Sequence, residues 1–438
     1  MTPRAIHAPE ERTNLLDFDM LGLSPTLQAA VKAAGYDTPT PIQNQAIPLA
    51  LEGHDIMGLA QTGTGKTAAF GLPLVEHLMK MEGRPQPKCV KALVLAPTRE
   101  LVNQIAEALN LYVKGSKLRV GTVVGGQSIN TQIRFLSRGI DILVATPGRL
   151  IDLMDRGAVR LDTARFLVLD EADQMLDLGF IHALRKIAPK LGRPRQTMLF
   201  SATMPKQMEE IASTYLRNPR RVQVSPPGKA ADKITQSIHF LDKGEKVGKL
   251  KELLLRHPES LSLVFARTKH GAERLMKQLV ADGFDAASIH GNKSQGQRDR
   301  AIKGFREGSI KILVATDVAA RGIDIPDVRV VYNFDLPDVP DNYVHRIGRT
   351  ARAGRDGEAI AFCSAEEVGQ LKDIEKVMKL SIPVASGDRP EPVKADKPKR
   401  GGGGGRGRRP QGGGNGQGMS QGKPRQQRRN KQRRRSAA

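Results

Sequence analysis

From Lys91 onward the chain alternates short, continuously apolar runs with longer stretches whose apolar residues recur at helical spacing. KALVLAP (91–97), RVGTVVGG (119–126), IDILVATP (140–147), ARFLVLDEAD (164–173) and QTMLFSAT (196–203) are uninterrupted and end in polar or small residues. That is the character of parallel strands covered on both faces. Between them, TRELVNQIAEALNLYV and PKQMEEIASTYLRN carry an apolar stripe of helical period, and the alternation predicts a doubly wound α/β domain. SPPGKAADK (225–233) is rich in Pro, Gly and charge and has no apolar period, so it reads as a linker. Beyond it the alternation restarts with ITQSIHFL, LSLVFART, DAASIHG, IKILVATD, VRVVYNFDLP and GEAIAFC, separated by helices such as KHGAERLMKQLVADG. A last helix, SAEEVGQLKDIEKVMKL, ends near Leu380. The predicted organisation is a flexible N-terminus over 1–15, a first domain over 16–224, a linker over 225–233, a second domain over 234–380 and a tail over 381–438.

One run is written twice. ILVAT occupies 142–146 and again 312–316. In both copies the Thr falls at the carboxyl end of a predicted strand and an arginine, Arg149 or Arg321, follows. Open α/β sheets bind their ligands at that edge.

Charge changes the picture mainly at one end. The net charge is +23, and +14 of it lies from Lys394 onward, where GGGGGRGRRPQGGGNGQG and KPRQQRRNKQRRR have almost nothing to bury. The tail is expected to be disordered and to bind polyanions without regard to sequence. It holds no aromatic residue, which argues against base stacking there. No apolar run is long enough to span a bilayer and no secretory signal is visible, so a cytoplasmic protein is expected. Cys89 and Cys363 have no metal-ligand spacing, which fits a reducing compartment.

AQTGTGKT, Ala60 to Thr67, matches the phosphate-binding loop, in which Gln61, Thr62, Gly63, Thr64 and Gly65 turn into a helix. Backbone N–H groups there cradle phosphates, Lys66 faces the β and γ groups, and Thr67 offers its hydroxyl to Mg²⁺. Such a site needs a strand-end carboxylate for the metal, and FLVLDEAD supplies Asp170, with Glu171 beside it to orient or deprotonate a water. In the second half, HRIGRTARAGR spaces Arg346, Arg349 and Arg352 three apart after a helical approach. One helix face would then carry a row of guanidinium groups, able to reach a phosphate held by the first domain.

Together these residues resemble the DEAD-box ATP-dependent RNA helicases of superfamily two, and within them the bacterial RhlE group, over roughly Phe18 to Leu380. The resemblance implies two tandem RecA-like domains, ATP and Mg²⁺ as cofactors, and RNA as a largely sequence-independent partner. In GYDTPTPIQ it implies that Gln43 reads adenine, Tyr36 stacks on the base and Phe18 lies upstream as an aromatic partner. It implies that Ser201 and Thr203, with Asp173 and Arg346, couple hydrolysis to strand separation. It further implies nucleotide contacts from Gly322 and Asp324, a link from His345 to the metal-side motif, and Arg349 with Arg352 as the finger pair. RNA contacts are implied for Pro97, Thr98, Arg99, Gly125, Gly126, Thr146, Pro147, Gly148 and Arg149 in the first domain. The second domain's set is Arg267, Gln295, Arg298 and Thr316. Gripping phosphates sets register without reading bases.

Two departures stand out: Asn292 occupies a position where Asp is frequent in the group, and no folded RNA-recognition module follows Leu380. Targeting is therefore expected from the tail or from partners of ribosomal or RNA-decay type. A DNA translocase of the same superfamily and an RNA annealer acting through its tail remain the rival readings.

Overall fold

The computed structural model describes residues 17–61, 63–224, 234–321, 328–351 and 356–391. The expected linker 225–233, the N-terminal 1–15 and most of the expected tail lie outside them. The first lobe contains β1 (Ile56–Leu59), β2 (Val90–Leu95), β3 (Val120–Val123), β4 (Ile140–Ala145), β5 (Phe166–Leu169), β6 (Gln196–Ser201) and β7 (Arg220–Gln223). The second contains β8 (Ile234–Phe240), β9 (Leu261–Phe265), β10 (Ala286–Ile289), β11 (Ile312–Ala315), β12 (Val328–Asn333), β13 (Gly357–Cys363) and β14 (Val384–Ser386).

The sheet orders are β3-β4-β2-β5-β6-β1-β7 and β10-β11-β9-β12-β13-β8-β14. Adding seven to each strand number of the first sheet reproduces the second, so the two lobes share one topology. The repeated ILVAT segments supply β4 and β11, second in each order, and both pair in parallel on either side.

Side-chain alternation along each strand builds a core on both faces. In β4, Ile142 and Val144 pack with Leu72 and Val102 of the helices Lys66–Met79 and Arg99–Tyr112, whereas Leu143 and Ala145 pack with Leu150 and Leu153 of Pro147–Asp155. In β9, Val264 joins Leu250 and Leu275 on one face, and Leu263 and Phe265 join Ala301 and Phe305 on the other. Each fully buried aliphatic side chain contributes on the order of 1.5–3 kcal/mol, more than a residue's helix propensity, so burial rather than local preference fixes these helices on the sheets.

Three strands escape the apolar pattern. β1 is only IMGL, and its Gly58 permits close packing: a Cβ there would sit 2.5 Å from the Phe200 ring. The edge strand β7 buries only Val222, and β14 is exposed throughout. The second domain therefore does not end at Leu380 as expected. Val384 and Ser386 pair with Ile238 and His239 of β8, and His239 Nδ1 lies 2.6 Å from Ser386 Oγ.

Candidate functional site

All strands of a parallel sheet end at one edge, and the motif residues of the first lobe gather there. β1 runs into the phosphate-binding loop, whose Gly63 and Gly65 have φ of 84° and 89°. Thr64 Oγ1 donates to Gln61 O (2.7 Å) and Lys66 Nζ donates to Ala60 O (3.1 Å), folding the loop around its own lysine. Thr67 follows as the second residue of the helix. Gln43 accepts from Thr40 N (2.9 Å) in a capping box and donates from Nε2 to Gly65 O (3.1 Å), which ties the motif expected to read adenine to the loop. These bonds use one of the two bonding positions at each end of the amide, and an adenine edge needs one donor and one acceptor. Tyr36 is 40% exposed, whereas the Phe18 ring lies in the core at 6%. Phe18, expected as the upstream aromatic partner, is thus packed in the core of the first lobe.

Asp170 and Glu171 follow β5 directly, both buried. Burial pushes the Asp170 carboxyl up to about 6, against the pull of the Lys66 ammonium, while Glu171 and Asp173 add to the rise. Glu171 holds a left-handed backbone (φ 49°, ψ 51°), and its N–H donates to Asp170 Oδ1 (3.0 Å). Asp173 Oδ2 accepts from Ala202 N (3.1 Å), Thr203 N (2.8 Å) and Thr203 Oγ1 (3.0 Å), and Ser201 Oγ donates to Thr203 O (2.7 Å). The expected coupling residues Asp173, Ser201 and Thr203 therefore form one hydrogen-bonded unit.

The expected row of arginines on one helix face does not form. The helix Pro340–Ile347 ends at the Gly348 cap, leaving only Arg346 within it. Arg346 points inward at 2% exposure. It pairs through both Nε and Nη2 with Asp317, donates to Asn333 Oδ1 (3.1 Å) and Asp335 O (2.6 Å), and lies 5.0 Å over the Phe265 ring. Arg349 lies just past the helix and lines a groove with Arg321 and His345. Arg321 Nη2 donates to Asp177 Oδ2 of the first lobe (2.8 Å) and to Asn342 Oδ1 (3.0 Å). His345 acts electrostatically on the same Asp177, whose carboxyl is raised by burial against the pull of Arg321. Thr62, Gly322, Asp324 and Arg352 lie outside the described residues.

The expected RNA-gripping residues form a second group at the same edges. Arg99 lies on the glycine pair: a Cβ on Gly126 would come 2.1 Å from Arg99 Nη1, and one on Gly125 3.3 Å from Nη2. Arg149 donates to Gln127 O (3.0 Å) and Gln132 Oε1 (3.3 Å). Burial lowers the Arg99 pKa, and Arg298 and Arg149 lower it further, so three guanidinium groups converge. Thr98, before Arg99 and after Pro97, caps its helix by accepting from Leu101 N (3.2 Å). Thr146 and Thr316 hold the N-cap positions after β4 and β11, and neither side chain makes a capping bond. Pro147 and Gly148 open the helix after Thr146.

Across the lobes, Arg99 Nη1 donates to Gln295 Oε1 (3.1 Å), Gln295 Nε2 donates to Glu100 Oε1 (3.2 Å), and Arg298 Nη2 lies 3.0 Å from the same Glu100 oxygen. Arg267 is not brought to this junction. It pairs with Glu367 (2.7 Å) inside the second lobe, and its N–H donates to Asp335 Oδ2 (2.9 Å). Asn292 Oδ1 accepts from Lys269 Nζ (3.1 Å), so an amide oxygen serves there as the acceptor.

Sequence reasoning missed Glu100 and Asp177 and noted Arg321 only as the arginine that follows the second ILVAT run at the ligand-binding edge. Their only signal was position, one residue after Arg99, at the end of the helix after Asp173, and shortly after Thr316.

Residues 40–211 match the family model described as DEAD/DEAH box helicase, and residues 245–354 match helicase conserved C-terminal domain. A Geobacillus kaustophilus protein named DEAD-box ATP-dependent RNA helicase CshA is 44% identical over 362 residues, covering 83% of this chain and 76% of that one. An ATP-dependent RNA helicase CshA of Limosilactobacillus reuteri is 43% identical over 367 residues, covering 84% and 73%. Among solved structures, Saccharomyces cerevisiae Dbp5 bound to RNA and ADP BeF3 superposes with a TM-score of 0.73 at 33% identity, covering 84% of this chain and 94% of that one. Mss116p bound to ssRNA and AMP-PNP gives 0.76 at 28% identity, covering 86% and 81%.

Proposed function

The chain belongs to the DEAD-box ATP-dependent RNA helicase family and is an RNA-stimulated ATPase built on two RecA-like lobes, and from that premise we propose how its residues divide the work. Gln43 and Tyr36 select adenine, the loop from Ala60 to Thr67 holds the phosphates, and Lys66 neutralises their charge. Glu171 takes the proton of the attacking water. His345, Arg349 and Arg352 complete the site from the second lobe, so hydrolysis waits for closure.

The donor set fits Mg²⁺. Asp170 is a buried carboxyl beside the phosphate-binding loop and Thr67 a hydroxyl, and no group of three or more His, Cys, Asp or Glu that could hold a metal occurs among the described residues. Mg²⁺ is bound by one or two carboxylates together with substrate phosphates and water. Thr67 and Asp170 would hold it, and when bound it neutralises charge on the transferring phosphoryl group.

The observation that carries the reading is the Arg99–Gln295 and Glu100–Arg298 contact. Residues expected to grip RNA from each lobe meet when the lobes are together, so one bound strand can sense closure. Gripping both lobes at once bends the strand, and a duplex that cannot follow loses a few base pairs. Hydrolysis then lets the lobes part, which makes unwinding local. Protein partners reached through the basic tail and a cytoplasmic site of action belong to the same proposal. No helix of the described residues is long and apolar enough to cross a membrane.

Steady-state ATP hydrolysis, measured at fixed salt without nucleic acid, with single-stranded RNA and with matched DNA, tests the reading in wild type and Lys66→Ala. Stimulation by RNA alone, lost in Lys66→Ala, is the expected result. Equal stimulation by DNA would leave the fold assignment standing and remove the substrate.

A further inference from the structure

The opposite edge of the first sheet, where the strands begin, carries a feature the helicase cycle does not use. Arg165 immediately precedes β5, Arg193 and Arg195 precede β6, and Arg217 and Arg220 stand at the turn into β7 and its first residue. β5, β6, β1 and β7 are consecutive in the sheet, so these arginines form an arc along one edge. Arg165 Nη1 donates to Pro194 O (3.3 Å), and Arg195 donates to Gly192 O (3.2 Å) and Tyr215 O (3.3 Å), closing the gaps between neighbouring strands. The side chains of Arg193, Arg217 and Arg220 are exposed and have no ion-pair or hydrogen-bond partner among the described residues. Burial lowers the Arg195 pKa, and Arg193 and Arg217 lower it further, which places the guanidinium groups within each other's field.

The backbone beneath the arc is fixed. The buried Asp55 carboxylate accepts from Thr197 N and Arg217 N, both at 2.7 Å, and Asp55 O accepts from Arg220 N (2.8 Å). Asp55 is thus occupied in holding the backbone in place, and the two exposed acids nearby are paired, Glu52 with His54 and Asp162 with Arg160. The twin lobe places its charge differently: Arg329 keeps a cation at the start of β12, but two other strand starts carry an acid where the first lobe has an arginine. Where Arg195 precedes β6, Asp356 precedes the counterpart β13, and where Arg119 precedes β3, Asp285 precedes β10.

We propose that this arc is a second phosphate-binding surface, which takes the backbone of an RNA extending beyond the clamp. The proposal rests on the helicase reading for the identity of its ligand. The arginines start strands one spacing apart (β5 and β6) or two apart (β6 and β7, across β1), about 4.8 or 9.6 Å at the backbone, and their long side chains can span a run of phosphates. No large exposed apolar residue of the described chain lies in the arc, whereas a protein interface needs apolar anchors at its centre. The arc lies one strand length, roughly 15–20 Å, from the nucleotide edge. A short strand filling the clamp does not reach it, and a long structured RNA does.

The test uses the full chain with Arg165, Arg193, Arg217 and Arg220 all changed to Gln, and a matched variant with all four changed to Lys. Arg195 is left intact because its bonds hold the backbone. Binding of a long stem-loop RNA, binding of a short single strand with a non-hydrolysable ATP analogue, and stimulated ATPase are measured across a salt series. The expected result is a roughly tenfold or greater loss of long-RNA affinity, with the salt slope reduced by about 0.7–0.9 for each lost phosphate contact. Short-strand affinity and ATPase stay at wild-type level, and the Lys variant recovers most of the long-RNA affinity. Unchanged long-RNA affinity and slope in the Gln variant overturns the proposal, and if wild type alone captures polyglutamate the arc belongs to an acidic protein instead. Equal loss for long and short RNA also overturns it, because the effect then runs through the clamp. Failure of the short strand to stimulate wild-type ATPase would instead remove the helicase reading, and the long-RNA comparison still decides the arc.

Discussion

Gly65 is constrained twice over. Its φ of 89° is one that L side chains rarely adopt, and a Cβ would lie 2.4 Å from Gln43 Nε2 and 2.9 Å from Thr40 Oγ1. Gly65→Ala must therefore displace either the loop or the Gln43 amide proposed to read adenine, and we expect ATP affinity to fall at least tenfold with no loss of RNA binding in the absence of nucleotide, as read by titration with a fluorescent ATP analogue. Glu171 shows the same economy of backbone. A glutamate in the left-handed region costs roughly 1–2 kcal/mol, and the bond from its N–H to Asp170 Oδ1 helps to hold it there. Glu171→Gln keeps size and polarity and removes only the proton acceptor. RNA-stimulated hydrolysis should drop by about 10²–10⁴-fold while the melting temperature stays near wild type, and turnover equal to wild type would remove the general-base assignment. Asp173 makes its bonds to Thr203 and Ala202 rather than toward the phosphate-binding loop. Asp173→Ala is accordingly expected to lose more unwinding than hydrolysis.

At the scale of elements, two buried charges organise the second lobe. Arg346 joins the helix Pro340–Ile347 to Asp317 and to the end of β12, and removing one partner of such a pair costs about 3–5 kcal/mol. Glu367 accepts from Lys246 Nζ (2.6 Å), Arg267 Nη2 (2.7 Å), Leu336 N (3.1 Å) and Ser364 N (3.1 Å). Burial works to raise its pKa, but Lys246 and Ser364 outweigh it and the carboxyl ends below its ordinary value. A depressed carboxyl contributes stability above its unfolded pKa, about 4.3, and that stability is lost as pH falls through the folded value. The second lobe should melt progressively earlier below about pH 4.3, and Glu367→Gln should flatten that dependence while lowering stability at neutral pH. The buried strands were legible because parallel strands covered on both faces leave uninterrupted apolar runs; β4, β5 and β6 fall within the runs that announced them, and β2 begins one residue before its own. β7 and β14 were not, because an edge strand needs little burial and RRVQ and VAS carry almost no apolar signal. The three-residue arginine spacing misled for a different reason: it presumes a continuing helix, and the chain leaves the helix at Gly348.

For the whole molecule, the decisive contacts join residues far apart in sequence, which is why Glu100 and Asp177 stayed invisible beside motifs that were plain. A charged residue at the end of a helix, Glu100 in a first turn or Asp177 in a last, reads as a solvated face until its partner across the lobes is known. The two bridges differ in weight. Glu100 and Arg298 have side-chain exposures of 7% and 16%, whereas Asp177 in the Arg321 pair is 44% exposed. Loss of one partner from the drier pair should cost about 3 kcal/mol of the closed state, and from the wetter pair about 1 kcal/mol or less. Both bridges exist only with the lobes together, so their loss should leave RNA binding without nucleotide unchanged and act on the cooperativity of ATP and RNA. Glu100→Ala is expected to weaken RNA binding in the presence of a non-hydrolysable ATP analogue by on the order of 10²-fold, and Asp177→Ala by less than about tenfold. Linkage adds a stricter requirement. Whatever factor Glu100→Ala removes from the effect of nucleotide on RNA affinity must also vanish from the effect of RNA on nucleotide affinity. Paired titrations of each ligand with and without the other measure both factors. Unequal losses would mean that Glu100 acts on one ligand site directly, and equal losses that it acts through closure of the lobes.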